Sequence, residues 1–160
     1  MGVGGPVGVL GGAFDPPHCG HVALAEEAIR HFGLDRLLVC VVADPGHKSV
    51  ATAAPIRLRL AQLAFARLPE AEVELDAFAR TVDSLEALGL ADPIFLVGAD
   101  ELLQLGSWKE PERVLELARL GVATRPGYAR AALEDVLASA SRPERIEIFA
   151  IQPIDVSSTG

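Results

Sequence analysis

The chain has 160 residues, half of them apolar, and a formal net charge of −8. This length suits one domain with a packed core. The acidic balance argues against a general nucleic-acid binder, which normally carries a basic surface, and no apolar run is long enough to cross a bilayer. Two cysteines make no disulfide framework, so we expect a reducing, cytoplasmic compartment.

Short apolar runs alternate with helical patterns along the chain. In chain order, we predict a strand at 6–10, a helix at 21–32, a strand at 36–42, a helix at 55–68, a strand at 71–75, a helix at 81–89, a strand at 93–97, helices at 99–105 and 110–118, a strand at 120–124, a helix at 129–140 and a strand at 146–151. Residues 44–54 between them are small and polar, which is typical of a mobile loop.

This alternation predicts an α/β fold. Several of the strands are apolar at consecutive positions, as strands covered on both faces are. The pattern therefore favours a doubly wound parallel sheet with helices on both faces. In such folds, ligands bind at the carboxyl ends of the strands.

The strongest chemical signal follows the first predicted strand. The run LGGAFDPPHCGH places two glycines where the backbone can approach a ligand, and two prolines then stiffen the turn. We expect a helix to begin near Gly20, with His18 and His21 beside its unpaired amides, a site suited to a polyphosphate. Each histidine alone is better explained as a cap or an exposed residue, whereas the complete spacing favours the site.

Zinc binding is the alternative interpretation of the same run. Asp15, His18, Cys19 and His21 are all of metal-ligand type. Because adjacent His18 and Cys19 make a poor local chelate and the chain has no C-x-x-C pair, the polyphosphate site is the preferred interpretation.

The segment GGAFDPPHCGHVALAEEA resembles the signature of the nucleotidyltransferases that transfer adenylyl groups, and specifically of nicotinate mononucleotide adenylyltransferases. The resemblance continues, in the family's order, through GHKSVATAAPIRLRLAQLA, TVDSL, FLVGADELLQLGSWKEPERVLELARLGVATRPGY and DVSST. The first motif is specific for the superfamily, and the segments around GAD and VATRPGY favour its pyridine-nucleotide branch. The resemblance implies a Rossmann-like fold of the nucleotidyltransferase type.

The resemblance also implies a reaction. The phosphate of nicotinate mononucleotide attacks the α-phosphate of ATP with the help of Mg²⁺, and pyrophosphate leaves as the dinucleotide forms. Because the attacking phosphate is already anionic, catalysis needs little beyond positioning and charge neutralisation. By resemblance, the catalytic residues are His18, His21 and Lys48, and His21 is expected to stabilise the charge that grows on the leaving pyrophosphate.

The resemblance assigns further residues to the two substrates. For ATP they are Gly12, Ala13, Phe14, His18, Gly20, His21, Gly98, Asp100, Arg125, Ser157, Ser158 and Thr159. For the pyridine nucleotide they are Lys48, Arg57, Thr81 and Trp108. Simpler explanations are a solvated Lys48, an Asp100 that caps a helix and a Trp108 in the core. Arg59 is expected to be solvated.

Three features depart from the family pattern. Ala13 stands where the family usually carries Thr or Ser, and Arg80 in the lead-in LDAFAR stands at a tyrosine position. Because that lead-in frames the pyridine carboxylate, a preference for nicotinate over nicotinamide is less firmly implied than adenylyl transfer. The sequence stops at Gly160, directly after DVSST, so residues 1–160 are expected to be a single nucleotidyltransferase domain without the family's C-terminal helical extension.

Two alternatives remain beside the leading hypothesis. One is a sister enzyme such as phosphopantetheine adenylyltransferase, against which Trp108 and the GAD segment argue. The other is a protein that binds ATP without turnover, which the missing C-terminal arginine of the family motivates. The expected partners are ATP and nicotinate mononucleotide, with no nucleic acid and no membrane, and the sequence leaves a homo-oligomer open.

Overall fold

A computed structural model describes residues 5–14, 17, 19–43, 52–124 and 130–151. Their strands are β1 (Val7–Gly12), β2 (Arg36–Val42), β3 (Ala71–Asp76), β4 (Ile94–Gly98), β5 (Arg119–Thr124) and β6 (Ile146–Ala150). The helices are α1 (Cys19–Phe32), α2 (Ala54–Ala64), α3 (Thr81–Leu88), α4 (Ala99–Leu102), α5 (Pro111–Leu117) and α6 (Arg130–Ser139), and short 3-10 turns cover Leu105–Ser107 and Pro143–Arg145.

Each predicted strand and helix is confirmed, and two helices end three or four residues earlier than predicted. Helix α2 ends at Ala64 rather than at residue 68, and the chain turns before Pro69. After Ala64 the amides of Ala66 and Leu68 donate to carbonyl oxygens three residues back, so the chain leaves the α-helix through tighter turns, and Pro69 then disfavours the helical conformation at Leu68. Helix α4 ends at Leu102, and a 3-10 turn completes the predicted helical segment.

The six strands form one parallel sheet in the order β3-β2-β1-β4-β5-β6. Strands β2, β4 and β5 are buried over most of their length, and β1 is buried in its middle. Strand β3, at one edge, has only exposed and half-buried residues. This pattern follows from coverage on both faces of the centre and weaker coverage at the edge. The prediction of a doubly wound parallel sheet is confirmed.

Two apolar clusters cover the two faces of the sheet. On one face, α1 and α2 pack on alternate residues of β2 such as Leu37 and Val39. On the other face, α3, α4, α5 and α6 pack on Leu38, Val97 and Val122. Among the described residues, no helix is long and apolar enough to cross a membrane.

The strand order determines where a ligand can enter. The chain runs outward from β1 to β3 and then returns to place β4 beside β1. The connections after these two central strands therefore leave the sheet in opposite directions and open a crevice at its carboxyl edge.

Candidate active site

A cavity of about 560 Å³ lies at the carboxyl edge of the sheet, at the crevice beside β1. One wall is the end of β1, a second is the segment that joins β3 to α3, and a third is the segment around the 3-10 turn after α4. Its lining includes Ala13 and the polar and aromatic residues Asp76, Phe78, Arg80, Thr81, Ser84, Phe95, Glu101, Gln104, Ser107, Trp108 and Lys109.

The turn after β1 exposes backbone to this cavity. Gly11 and Gly12 both line it, and a Cβ atom at Gly11 would lie 3.8 Å from the ring of Phe95, within the cavity wall. Glycine therefore leaves free the space that a side chain would occupy. This geometry fits the close approach of a ligand to the backbone that the sequence predicts.

Phe14 anchors the same turn. Its backbone adopts the left-handed conformation (φ 51°), which costs a non-glycine residue about 1–2 kcal/mol. Its ring is buried and contacts the rings of His21 and Phe65 edge-on, with centroids 4.8 and 5.9 Å away. The packing of this ring offsets the backbone strain and holds the imidazole of His21 in the first turn of α1.

Arg57 is buried beside the ends of β1 and β2. Its side chain is 1% exposed, and its guanidinium donates hydrogen bonds to four main-chain carbonyl oxygens. The acceptors are Thr52 (2.8 Å), Ala13 (2.9 Å), Val42 (2.7 Å) and Ala43 (2.9 Å). The resemblance implied contact with the pyridine nucleotide. In this geometry Arg57 has a positioning role, because it ties together the chain segments that follow β1 and β2 and precede α2; its contact with the nucleotide stays a prediction.

A carboxylate binds the main chain at the point where β4 ends and α4 begins. The Glu101 side chain accepts a hydrogen bond from the Gly98 amide at 3.1 Å, so Glu101 caps the start of α4. Gly98 is half-buried, Asp100 is exposed, and neither belongs to the cavity lining. Their predicted contacts with ATP remain a prediction.

Asp76 holds the segment between β3 and α3. One carboxylate oxygen accepts the hydroxyl of buried Ser84 at 2.6 Å, and the other accepts the amide of Phe78 at 2.9 Å. These two bonds fix the first turns after the strand and the start of α3 against each other. Asp76 therefore determines the shape of one cavity wall.

The Trp108 segment packs against α3 and the core. The indole of Trp108 contacts the ring of Phe95 edge-on with centroids 6.4 Å apart. The ammonium of the next residue, Lys109, lies 3.0 Å from a carboxylate oxygen of Asp83, in the first turn of α3. Trp108 thus lines the cavity at the end where α3 begins.

Cys40 lies in the wall of the cavity as a buried free thiol. Burial, and then the negative charges of Asp76 and Glu74, raise the pKa of this thiol to about 12. The thiol is therefore un-ionised near neutral pH, and its role is that of a small apolar side chain.

The structure brings some predicted residues together and does not describe others. Those that line the cavity are Gly12, Ala13, Thr81 and Trp108, whereas Phe14, Gly20 and His21 lie in the adjoining turn and first turn of α1. His18, Lys48, Arg125, Ser157, Ser158 and Thr159 lie outside the described residues, as does most of the predicted mobile loop.

The zinc alternative stays untested for the same reason. Asp15 and His18 lie outside the described residues, and the side chain of Cys19 is not described. Within the part of the chain that is described, no group of three or more metal-ligand side chains forms a site.

Sequence reasoning missed Asp76, Ser84, Glu101 and Lys109. Asp76 directly follows the strand predicted at 71–75, and this position at a carboxyl end is a signal that could have identified it. Ser84 and Lys109 carry no such signal. Ser84 lies within a helix, and the partner of Lys109 is 26 residues away in the sequence.

Comparison with known proteins agrees with this geometry. The family model described as cytidylyltransferase-like matches residues 9–159. A Rubrobacter xylanophilus protein named "Probable nicotinate-nucleotide adenylyltransferase" is 35% identical over 96% of this chain and 78% of its own length. A Roseiflexus protein of the same name is 37% identical over 96% of this chain and 82% of its own length.

A solved structure gives the same fold. It is titled "Plasmodium falciparum nicotinic acid mononucleotide adenylyltransferase complexed with APC". It superposes with a TM-score of 0.70 over 93% of this chain and 75% of that chain, at 15% identity. The chain therefore belongs to the cytidylyltransferase-like family and groups there with the nicotinate-nucleotide adenylyltransferases.

Proposed function

We propose that this protein transfers the adenylyl group of ATP to nicotinate mononucleotide in the synthesis of NAD. The products are nicotinate adenine dinucleotide and pyrophosphate. The relatives named for this activity match nearly the whole chain.

The observation that carries the proposal is the cavity beside β1. A glycine turn that exposes backbone forms one wall, and Trp108 and Thr81 belong to the walls built by the later segments. The turn suits a polyphosphate, and an indole suits a flat aromatic ring. A substrate that joins a phosphate to a pyridine ring fits such a cavity.

The chemistry requires charge neutralisation more than proton transfer. An oxygen of the nucleotide phosphate attacks the α-phosphorus of ATP, and the bond from that phosphorus to the β-phosphate oxygen breaks as pyrophosphate leaves. Cations and amides near the developing charge stabilise this transition state. We propose this role for His18, His21 and Lys48, with Mg²⁺ entering as substrate on the ATP phosphates.

The remaining assignments are part of the same proposal. Around ATP we place the backbone of Gly12, Ala13, Phe14 and Gly20, with contributions from Gly98, Asp100, Arg125, Ser157, Ser158 and Thr159. Around the pyridine nucleotide we place Thr81 and Trp108. We also propose a cytoplasmic location, since neither cysteine is expected to be needed in a disulfide.

Product formation from MgATP and nicotinate mononucleotide tests the proposal directly. We expect stoichiometric pyrophosphate and dinucleotide, no comparable product from phosphopantetheine, and loss of turnover when EDTA removes the metal. A preference for phosphopantetheine contradicts the proposal, and ATP binding without any turnover would identify a binding protein instead.

A histidine pair provides the matched control. We expect His21→Ala to lower kcat by about 100-fold or more while the fold persists, because a group that acts on the transition state affects kcat. His31→Ala, at the other end of α1, removes an exposed imidazole that pairs with Glu147 and should keep kcat. Near-normal turnover of His21→Ala contradicts the catalytic assignment.

A further inference from the structure

Among the described residues, four charged side chains line the cavity, and neighbouring groups bind three of them. Asp76 accepts hydrogen bonds from Ser84 and from a main-chain amide, and Glu101 accepts one from an amide at the end of β4. Lys109 pairs with Asp83. The fourth is Arg80, whose exposed guanidinium makes no hydrogen bond or ion pair within the described parts of the chain.

Arg80 lies at the same end of the cavity as Trp108. It directly precedes Thr81, the first residue of α3. The ion pair from Lys109 to Asp83 brings the residue after Trp108 against the first turn of the same helix. Arg80 and Trp108 therefore both lie beside the start of α3, and both line the cavity.

The charges of the described cavity lining favour an anion contact at Arg80. Asp76 and Glu101 both add negative charge to the lining, and the positive charge of Lys109 is balanced by Asp83. Among the described lining residues, Arg80 is thus the cation that can offset the repulsion of a substrate carboxylate by Asp76 and Glu101.

We propose that Arg80 is a specificity-determining residue that binds the carboxylate on the pyridine ring of the acceptor nucleotide. This inference rests on the proposed function. A guanidinium carries only donors and forms two parallel hydrogen bonds with a carboxylate. A carboxamide has one acceptor oxygen, and its N–H groups would face the guanidinium, which has no acceptor. Arg80 therefore favours the acid over the amide.

The test compares two acceptors that differ only at this group. Values of kcat/KM for nicotinate and nicotinamide mononucleotide are measured at saturating MgATP for the wild type, Arg80→Gln and Arg80→Lys. We expect Arg80→Gln to lower the preference for the acid by about 10- to 100-fold, mainly through loss of activity on the acid. Arg80→Lys keeps the charge without the paired donors and should retain an intermediate preference.

Arg142→Gln is the matched control. Arg142 is exposed, precedes β6 at the amino edge of the sheet, and its side chain has no partner in the described residues. We expect this variant to keep the wild-type preference, which separates a local contact from an effect of net charge.

Two results overturn the inference while the proposed function stands. One is an unchanged preference in Arg80→Gln. The other is an equal loss on both acceptors, which identifies a contact with their shared phosphate or ribose. If the wild-type protein uses neither pyridine nucleotide, the proposed function is wrong and the inference is wrong with it.

Discussion

Replacing Arg57 by Met removes the side chain that joins three loops at the carboxyl edge of the sheet. The buried guanidinium donates four hydrogen bonds to main-chain oxygens, at 2.7 to 2.9 Å. A hydrogen bond to a charged group contributes about 1.5–3 kcal/mol. Four bonds from one side chain do not add, and loss of the guanidinium recovers its desolvation cost. We therefore expect the free energy of unfolding to fall by about 3–5 kcal/mol.

Thermal unfolding followed by circular dichroism measures this loss. For a domain of this size, each kcal/mol lowers Tm by about 2–4 °C, so we expect a decrease of about 6–20 °C. Arg59→Met is the matched control on the same helix, and its exposed side chain should change Tm little. A Tm for Arg57→Met within about 2 °C of the Arg59→Met value refutes the positioning role.

The same substitution separates positioning from ligand binding. Ala13 and Val42, whose carbonyl oxygens Arg57 holds, both line the cavity. Arg57→Lys keeps a charge that a bound phosphate or carboxylate would feel, yet a single ammonium cannot reach all four carbonyls. We expect Arg57→Lys to lose stability and substrate affinity together. Normal stability with weakened binding of the nucleotide alone would return Arg57 to the substrate contacts.

Three further predictions concern the cavity walls. Trp108→Ala should raise KM for the pyridine nucleotide about 10-fold and leave KM for ATP nearly unchanged, because the indole supplies a stacking surface for the ring alone; equal effects on both substrates contradict this role. A double-mutant cycle of Lys109→Met and Asp83→Asn, measured by urea unfolding at low salt, should give a coupling free energy of about 0.2–1 kcal/mol. If the two substitutions have additive effects on the free energy of unfolding, the pair does not couple the two segments. Because the pKa of the Cys40 thiol is raised to about 12, iodoacetamide at pH 8 should label Cys40 slowly in the folded protein and rapidly in urea, as peptide mass spectrometry would measure; rapid native labelling contradicts its burial.

The linkage of Cys40 to stability has a definite sign. The folded-state pKa of the thiol lies above its ordinary value of 9.0, so the contribution to stability is complete below about pH 9 and is lost as the pH rises toward 12. This window lies above neutral pH. Cys40 therefore places no limit on stability under the conditions of the activity assays.

Local patterns in the sequence were enough for the elements and the class of fold. The central strands are continuous apolar runs because helices cover both faces of the sheet. Such a run can be recognised from the sequence of one strand alone. Pro55 in the first turn of α2 gives a similar local signal. The glycine turn after β1 was also predictable, because its chemistry lies within one short segment.

The cavity walls depended on contacts between distant segments. Lys109 and Asp83 are 26 residues apart in the chain, and only the packing of the Trp108 segment on α3 brings their charges together. Asp76 and Ser84 meet across the turn between a strand and a helix. Neither pair leaves a periodic pattern in the sequence, so no local rule could have found it.

Arg57 illustrates why the tertiary structure was decisive. The sequence cannot show whether an arginine on a helix near a phosphate-binding segment binds a ligand or the backbone. The choice depends on which acceptors lie within reach of its five donors after the strands have assembled. Here four carbonyl oxygens at the ends of β1 and β2 and before α2 surround the guanidinium. Unpaired buried carbonyls are costly, so the fold uses this arginine to satisfy its own backbone.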